Sequence, residues 1–268
     1  MKISLIQMEV VTFPTDNLVK IKTLLSQAKE SGTDVVVLPE MCCCSYENEA
    51  FTRYAMSEND LFIVQLAELA KEFNLFLVAG SIPEKVQERI YNTSFVFDPQ
   101  GRMIARHRKV HLFDVSIENG QYFKESDTFC AGDSATVFDT KWGKIGLMIC
   151  YDIRFPEFFR LMGENVKLVI IPASFNMTTG PQHWELLFRA RALDNQVYMA
   201  GCASAANLQS SYRSWGHSII TDPWGDVLGQ LDEKEGILTR KLDLQYVDKI
   251  RKELPLLCHR RKNLYKFD

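Results

Sequence analysis

A cysteine follows a strongly apolar stretch in the middle of the chain. Residues 144–149 (Lys-Ile-Gly-Leu-Met-Ile) are predicted to form a buried strand, and Cys150 comes directly after them, before polar residues and a Phe-Pro-Glu that can begin a helix. Ligands of open α/β sheets bind at the carboxyl ends of strands, so a thiol placed there is positioned to attack a substrate. The alternative is that Cys150 fills the core, because free cysteine is among the most buried residue types.

Glu40 and Lys109 are the residues that could make such a thiol reactive. Glu40 ends a second apolar stretch, 35–39 (Val-Val-Val-Leu-Pro), and we expect it to approach Cys150 if the two strands lie in one sheet. A thiol with an ordinary pKa of about 8.5 is mostly protonated at neutral pH, so it needs a base, and Glu40 can serve if burial raises its pKa. The ammonium of Lys109, which follows a predicted hairpin, could hold a developing oxyanion. Neither residue need be catalytic. The alternative for Glu40 is a solvent-exposed position at the end of a strand, and the alternative for Lys109 is a position on a charged, solvent-exposed surface.

Other chemistries fit the sequence less well. His107 and His111 have the spacing of metal ligands on a helix, but the glutamate of an HExxH motif is missing and no third ligand is evident, so we expect no metal. Three residues between Cys150 and Arg154 are too few for the phosphate loop of cysteine phosphatases, and neither a P-loop nor a GxGxxG motif is present. A papain-like pair of Cys150 with a downstream histidine stays open on spacing, although the residues around Cys150 lack that signature.

Composition limits the class of protein. The chain has 268 residues, of which 46% are hydrophobic and 24% charged, as in ordinary globular proteins. Its net charge of −3 shows no basic excess, so we expect neither nucleic acid nor a membrane as partner, and small molecules remain. The N-terminus lacks the apolar core of a signal peptide, and the seven cysteines contain no CxxC pair and suit reduced thiols. Both features predict a cytoplasmic protein.

The elements that must position these residues occur twice along the chain. The first half shows strand, helix, strand, helix, strand and hairpin patterns at 2–8, 16–31, 35–39, 60–73, 75–80 and 91–106. The second half repeats this order at 144–149, 156–163, 168–172, 181–195, 197–204 and 215–229. The hairpin strands are 91–97 with 101–106, and 215–221 with 226–229.

This alternation predicts an α/β fold in which helices cover parallel strands and hairpins add antiparallel ones. No linker-like or low-complexity stretch separates the halves. We therefore expect one domain over residues 1–268, built of two sheets, with the segment from Leu242 as a docked tail.

Three separated segments of the chain resemble the signature of one enzyme family. They are 38–40 (Leu-Pro-Glu), 108–112 (Arg-Lys-Val-His-Leu) and 149–157 (Ile-Cys-Tyr-Asp-Ile-Arg-Phe-Pro-Glu). In this order they resemble the Glu-Lys-Cys signature of the nitrilase superfamily of carbon-nitrogen hydrolases. Segments 175–187 and 194–198 further resemble the Nit2-like ω-amidases within that superfamily.

The resemblance implies a fold and a catalytic set. The implied fold is a four-layer α-β-β-α sandwich of two mixed sheets, internally duplicated, which pairs into homodimers or larger homo-oligomers and needs no metal or organic cofactor. Glu40, Lys109 and Cys150 are the implied catalytic triad. A further catalytic residue falls on Glu125, which would otherwise pass for a loop charge. We expect the backbone N–H of Tyr151 to hold the oxyanion together with Lys109.

The resemblance also implies a substrate. It places a substrate carboxylate at Arg154, a hydroxyl donor at Thr179 and Tyr46 in the pocket wall, whereas the alternative for Arg154 is an ion pair with Glu157. The implied reaction is hydrolysis of a short dicarboxylic acid monoamide, such as 2-oxoglutaramate or 2-oxosuccinamate, to the acid and ammonia through a thioester on Cys150.

Two other functions remain open from the sequence. The same triad could act on deaminated glutathione, an N-carbamoyl compound or a nitrile. A non-catalytic member of the superfamily could instead serve as a binding or scaffold protein. The triplet Cys42-Cys43-Cys44 departs from the usual wall of the loop after Glu40, and it could alter the size of the pocket or its sensitivity to oxidants.

Overall fold

Two large sheets carry most of the strands. The computed structural model describes residues 1–117, 122–208 and 210–265. Within those residues the strands, in chain order, are β1 (Lys2–Gln7), β2 (Val35–Val37), β3 (Phe76–Val78), β4 (Ile82–Val86), β5 (Arg89–Phe97), β6 (Met103–Arg108), β7 (Asp114–Ser116), β8 (Tyr122–Lys124), β9 (Thr136–Thr140), β10 (Gly143–Leu147), β11 (Val166–Ala173), β12 (Tyr198–Ala203), β13 (Ile219–Thr221), β14 (Val227–Gln230) and β15 (Gly236–Lys241). The first sheet has the order β15-β1-β2-β3-β5-β4 with β6 beside β5, the second has the order β14-β13-β12-β11-β10-β9, and β7 pairs with β8.

The helices connect the strands and form the chain terminus. They are α1 (Pro14–Glu30), α2 (Asn48–Arg53), α3 (Leu61–Glu72), α4 (Pro156–Arg160), α5 (Gly180–Asn195), α6 (Gln245–Glu253) and α7 (Leu256–His259), with short 3₁₀ helices at Glu125–Asp127, Cys150–Arg154 and Lys262–Leu264. The first turns of α1, α4 and α5 each contain a proline, whose fixed φ suits that turn and whose missing N–H costs no hydrogen bond there.

The two sheets are built in the same way. Strands β1, β2 and β3 run parallel to one another, as do β10, β11 and β12. An antiparallel strand flanks the first strand of each set, β15 beside β1 and β9 beside β10. Another antiparallel strand follows the third, β5 beside β3 and β13 beside β12. The predicted internal duplication and the mixed character of both sheets are therefore confirmed.

Three hydrophobic clusters separate four layers. On β2, Val35 and Val37 pack in the cluster between the two sheets, whereas Val36 packs in the cluster beneath α1 and α3. Strand β11 alternates likewise between the central cluster and the cluster beneath α4 and α5. Because both faces of these strands are buried, their sequences are continuous apolar runs. The order helix, sheet, sheet, helix confirms the predicted α-β-β-α sandwich.

The condition under which Glu40 was expected to approach Cys150, that their strands lie in one sheet, is not met. Strand β2, which leads to Glu40, belongs to the first sheet, and β10, which leads to Cys150, belongs to the second. Both strands also end before these residues, at Val37 and at Leu147. The two side chains come together because the sheets pack face to face, and periodicity identifies a strand without identifying its sheet.

Several predicted bounds also differ from the structure. The predicted strand 215–221 is extended only at Ile219–Thr221, because Gly216 and His217 have φ values of +72° and +61°, which interrupt a strand. The predicted strand 101–106 begins two residues later, and the predicted helix 156–163 ends at Arg160. Helices α2, α6 and α7 and strands β4, β7, β8, β9 and β15 were not predicted.

The segment from Leu242 packs on the second half of the chain. Val247 and Ile250 of α6 are buried, and Arg251 donates to the carbonyl oxygens of Glu164 (2.6 Å) and Val166 (2.8 Å). These contacts join the C-terminal helices to the start of β11.

Candidate active site

Lys109 lies between two buried carboxylates. It follows β6, its side chain is fully buried, and Nζ is 2.8 Å from Oε1 of Glu40 and 2.8 Å from Oε1 of Glu125. Burial alone would lower the pKa of Lys109, but the charges of Glu125 and Glu40 hold this pKa well above its ordinary value. Lys109 is therefore a fixed cation at the centre of the cluster.

The two carboxylate oxygens of Glu40 differ in their hydrogen bonding. Besides Lys109, Oε1 accepts a hydrogen bond from Nδ2 of Asn92 (2.9 Å), and the Tyr46 hydroxyl lies 3.3 Å away. Oε2 is buried and accepts no well-formed hydrogen bond from the described part of the chain, although the Cys150 thiol is near enough to lower the pKa of Glu40. Burial outweighs Lys109 and leaves the pKa of Glu40 raised. Such a carboxylate is suited to accept a proton.

Glu125 begins a 3₁₀ helix and has both oxygens engaged. Oε2 accepts a hydrogen bond from the backbone N–H of Phe113 (2.7 Å), while Oε1 contacts Lys109 and lies 2.7 Å from the Tyr46 hydroxyl. This geometry makes Glu125 an orienting partner for Lys109. Tyr46, expected in the pocket wall, has its hydroxyl inside the cluster of charged residues.

The backbone of Cys150 adopts the left-handed conformation. Cys150 begins a 3₁₀ helix with φ of +44°, which costs a non-glycine residue about 1–3 kcal/mol and persists where surrounding structure holds it, often at functional sites. Burial and the charge of Glu40 raise the pKa of the thiol well above its ordinary value, although Lys109 and the Ser174 backbone lower it. Cys150 is therefore a neutral thiol at rest and needs a proton acceptor before it can attack. The Tyr151 N–H, second in this helix, has no acceptor within the helix and can donate to an oxyanion.

Asp152 holds the turn behind the nucleophile. Its buried Oδ2 accepts from the Ile149 N–H (3.1 Å) and lies 3.1 Å from Nε2 of His107, while Oδ1 accepts from the His111 N–H (2.9 Å) and lies 2.7 Å from its Nδ1. His107 and His111 lie on β6 and in the loop after it, so the helical spacing considered for them does not apply. Burial opposes ionisation, but hydrogen bonds from His107 and His111 lower the pKa of Asp152 to about 2.

Replacing Asp152 by asparagine is expected to destabilise the protein. The carboxyl group has a pKa of about 2 in the folded state against an ordinary value of 3.8, and this difference corresponds to about 2.5 kcal/mol. Since the folded value is the lower one, the stabilisation is complete above the unfolded pKa and is lost as the pH falls toward about 2. Urea unfolding should show Asp152→Asn about 2 kcal/mol less stable at about pH 7, with the difference shrinking below about pH 4. Equal stability at neutral pH would contradict the assignment.

A small cavity of about 210 Å³ opens beside the nucleophile, and Cys150, Arg154 and Thr179 are among its lining residues. We call it the acyl cavity. The Thr179 Oγ1 donates to Oδ1 of Asn176 (3.2 Å), so a substrate must replace Asn176 as acceptor if Thr179 is to serve as a hydroxyl donor.

Arg154 presents a positive charge to this cavity without an acidic partner among the residues described. Its Nη1 lies 3.1 Å from Nδ1 of His183, its Nε is buried without a partner, and its guanidinium carbon stands 4.9 Å from the centre of the Phe175 ring. Burial lowers the pKa of Arg154. The alternative ion pair with Glu157 is not formed, and Glu157 is exposed. Arg154 is thus available to an anionic group in the cavity.

Three polar residues of the site were not predicted. Asn92, which donates to Glu40, lies inside apolar strand β5, and an asparagine there was a detectable signal because this residue is depleted in strands. Asp152 stands in a recognised segment, but its partners are distant in sequence. The Tyr212 hydroxyl donates to the Ser174 carbonyl (2.5 Å) and its ring stacks on Tyr46 at 4.4 Å, in a loop without a sequence signal.

All seven cysteines are free thiols. Among the residues with described positions, no group of three or more His, Cys, Asp or Glu side chains is arranged to hold a metal ion. In the same part of the chain, no helix has the length and hydropathy needed to cross a bilayer.

Comparison with known proteins identifies the family of this chain. Residues 2–252 match the family model described as carbon-nitrogen hydrolase. Omega-amidase NIT2-A of Xenopus laevis is 43% identical over 265 residues, covering 98% of this chain and 96% of that protein. The crystal structure of Saccharomyces cerevisiae Nit3, a member of branch 10 of the nitrilase superfamily, has a TM-score of 0.89 at 39% identity and covers 97% of this chain and 96% of that one.

A more distant structure carries a chemical modification at its active site. In a mutant of the amidase from Nesterenkonia sp. AN1, acrylamide has added to the active-site cysteine. That chain is 25% identical with a TM-score of 0.79, and the match covers 95% of this chain and 98% of that one. From the family match, the identities and the shared fold, the chain belongs to the carbon-nitrogen hydrolase family of the nitrilase superfamily.

Proposed function

We propose that the chain is an ω-amidase, a cysteine-dependent enzyme that hydrolyses small carboxylate-bearing amides such as 2-oxoglutaramate or 2-oxosuccinamate to the acid and ammonia. The observation that carries the proposal is that Arg154, without an acidic partner in the described chain, lines the same small cavity as Cys150. A guanidinium pairs with a carboxylate through two hydrogen bonds. The names of the similar omega-amidases support the same substrate class.

In the first half of the proposed reaction, Glu40 takes the thiol proton as Cys150 attacks the amide carbonyl carbon. The S–C bond forms, and the charge that develops on the carbonyl oxygen is stabilised by Lys109 and the Tyr151 N–H. Glu40 then gives its proton to the amide nitrogen and the C–N bond breaks. Ammonia leaves, and Cys150 carries the acyl group as a thioester.

In the second half, Glu40 takes a proton from water while the water oxygen attacks the thioester carbon. The S–C bond breaks, the acid is released, and Glu40 returns the proton to the Cys150 sulfur. Glu125 holds Lys109 in place throughout, because both of its oxygens are already engaged.

Replacing Arg154 by lysine is expected to raise KM about tenfold or more for 2-oxoglutaramate, because an ammonium cannot reproduce the two-point contact of a guanidinium. Butyramide, a neutral amide of similar size, should keep its kcat/KM because it has no carboxylate. Steady-state ammonia release on both substrates separates the cases. Equal losses on the two amides would show that Arg154 does not bind a carboxylate.

The proposed activity is tested by measuring release of ammonia or amine from a panel of compounds. The panel contains 2-oxoglutaramate, 2-oxosuccinamate, deaminated glutathione, an N-carbamoyl amino acid and a nitrile. The highest kcat/KM is expected for the two acid amides. Preference for another compound would leave the triad but change the substrate. No turnover of any of them, with Cys150 alkylated by iodoacetamide no faster than other thiols, would favour a scaffold role.

We further propose that residues 1–268 act as one catalytic domain, that two or more copies associate, and that the enzyme works in the cytoplasm. Association is supported by two exposed apolar side chains on neighbouring helices. Leu161, directly after α4, is 71% exposed, and Leu186, within α5, is 65% exposed. The free thiols support a reducing compartment.

A further inference from the structure

A second cavity adjoins the acyl cavity and shares the lining residues Tyr212 and Ser174 with it. Its lining includes Glu40, Tyr46 and the serines Ser174, Ser204 and Ser214. We call it the serine chamber. Cys150 lines the acyl cavity but is not among the residues that line the serine chamber, whereas the reverse holds for Glu40. Glu40 thus lines the serine chamber and Cys150 lines the acyl cavity, and the two side chains approach each other between these spaces.

Tyr212 and Ser174 form the wall between these spaces, since both line each of them. The Tyr212 hydroxyl donates to the Ser174 carbonyl oxygen at 2.5 Å, and the Tyr212 ring stacks on Tyr46 at 4.4 Å. A hydrogen bond and an aromatic contact therefore fix the position of the Tyr212 side chain. Substrate bound by Arg154 would occupy the acyl cavity alone.

The proposed chemistry brings two small molecules to Glu40. In the proposed reaction Glu40 exchanges a proton twice, first with the departing nitrogen and then with the attacking water. Glu40 is fully buried, and its Oε2 has no well-formed hydrogen bond from the described residues. Buried polar atoms are normally satisfied by protein or by ordered water, so a polar space lined by Glu40 is suited to hold water.

The lining of the serine chamber suits small neutral hydrogen-bonding molecules. The Ser214 hydroxyl donates to the Ser204 carbonyl at 2.8 Å, which leaves its oxygen lone pairs able to accept. No lysine or arginine is among the described lining residues, so these residues offer no cation to pair with a substrate carboxylate.

We propose that the serine chamber binds the leaving ammonia and the hydrolytic water, while the acyl cavity holds the rest of the substrate. This inference rests on the proposed amidase function. It adds the locations of the two products of C–N cleavage, the ammonia and the acyl group. When the C–N bond breaks, nitrogen takes the proton of Glu40 and departs into the chamber. Water from the same chamber then gives a proton to Glu40 and attacks the thioester. The chamber therefore limits the size of leaving group and nucleophile.

The test compares Ser204→Val, which fills the chamber, with Ser204→Ala, which removes the same hydroxyl and leaves space. In single-turnover experiments with 2-oxoglutaramate, Ser204→Val is expected to deacylate about tenfold more slowly than Ser204→Ala. The thioester should accumulate on Ser204→Val in rapid acid-quench mass spectrometry. Equal deacylation rates in the two variants would overturn the proposal.

A second experiment uses the unmodified enzyme and so does not depend on how the variants fold. Hydroxylamine and O-benzylhydroxylamine are compared as traps for the acyl-enzyme, by measuring hydroxamate formed against acid formed. Because the chamber admits only small nucleophiles, hydroxylamine should compete at least about tenfold better per mole. Equal trapping by both compounds would show that the thioester opens directly to solvent, and would overturn the proposal. Absence of any turnover would instead refute the amidase function itself.

Discussion

Cys150→Ala should abolish amide hydrolysis, lowering kcat/KM on the order of 10⁴-fold or more, because the variant lacks the atom that forms the thioester. The fold should survive. Alanine and cysteine both carry a β-carbon, so the substitution leaves the steric cost of the left-handed backbone at this position unchanged. We expect the free energy of unfolding to change by less than about 1.5 kcal/mol. Ammonia release from 2-oxoglutaramate and urea unfolding, measured on the same preparation, give both values.

The matched control for this variant is Cys258→Ala, which removes an exposed thiol from the C-terminal helix α7. It should keep wild-type kcat/KM, so that the loss in Cys150→Ala can be assigned to one sulfur. If Cys150→Ala hydrolysed the amide at a rate comparable to wild type, the sulfur would have no role in bond cleavage.

Lys109→Met should remove both activity and stability. Methionine has a similar length but no charge, so the variant leaves Glu40 and Glu125 buried with no cation between them. Breaking a buried ion pair by removing one partner costs about 3–5 kcal/mol, and the missing oxyanion donor should lower kcat by on the order of 100-fold or more. Urea unfolding and ammonia release measure the two effects.

The surface pair Lys22–Glu72 is the control for the loss of stability. Its atoms lie 3.0 Å apart, close to the distance in the buried cluster, but both side chains are at least half exposed. Lys22→Met should therefore cost less than about 1 kcal/mol. The double variant Lys109→Met/Glu125→Gln should recover part of the stability lost by Lys109→Met, since one buried charge remains, while activity stays lost. A Lys109→Met protein as stable as Lys22→Met would contradict the buried charge cluster.

The pH dependence of Lys109→Met is a further sign of the same cause. The pKa of Glu40 is already raised by burial and should rise further without Lys109. Burial gives such a carboxyl group a higher pKa in the folded protein than in the unfolded protein. Its contribution to stability is complete below the unfolded-state pKa and is lost as the pH rises through the folded-state pKa. The destabilisation of the variant should therefore be smaller at about pH 5 than at about pH 8.

The sequence predicts the elements of this fold better than their assembly. Apolar runs such as 35–39 and 144–149 identify buried strands, and the repeated order of elements predicts the duplication. The same runs do not tell which sheet a strand joins, because continuous apolar character reports burial on both faces and not the identity of the neighbour. The sequence argument could bring Glu40 and Cys150 together only through strands of one sheet, whereas their strands lie in two different sheets.

Some residues of the site can be predicted from the sequence and others cannot. Side-chain chemistry alone suggests Glu40, Lys109 and Cys150, because a thiol, a base and a cation at element ends are a recognisable set. Glu125 lies in a 3₁₀ helix of three residues, which has no periodicity to detect, and only the family resemblance indicates it. The role of Asp152 depends on histidines 41 and 45 residues away in sequence, and no local pattern encodes such a contact.

The central claim is that substrate carbon becomes bonded to the sulfur of Cys150 during turnover. Mixing the enzyme with excess 2-oxoglutaramate, quenching in acid within milliseconds and mapping the peptides by mass spectrometry tests this directly. The account predicts an acyl group, lost on treatment with hydroxylamine, on the peptide that contains Cys150 and on no other cysteine peptide. Turnover accompanied by an acyl group on a different cysteine would contradict it.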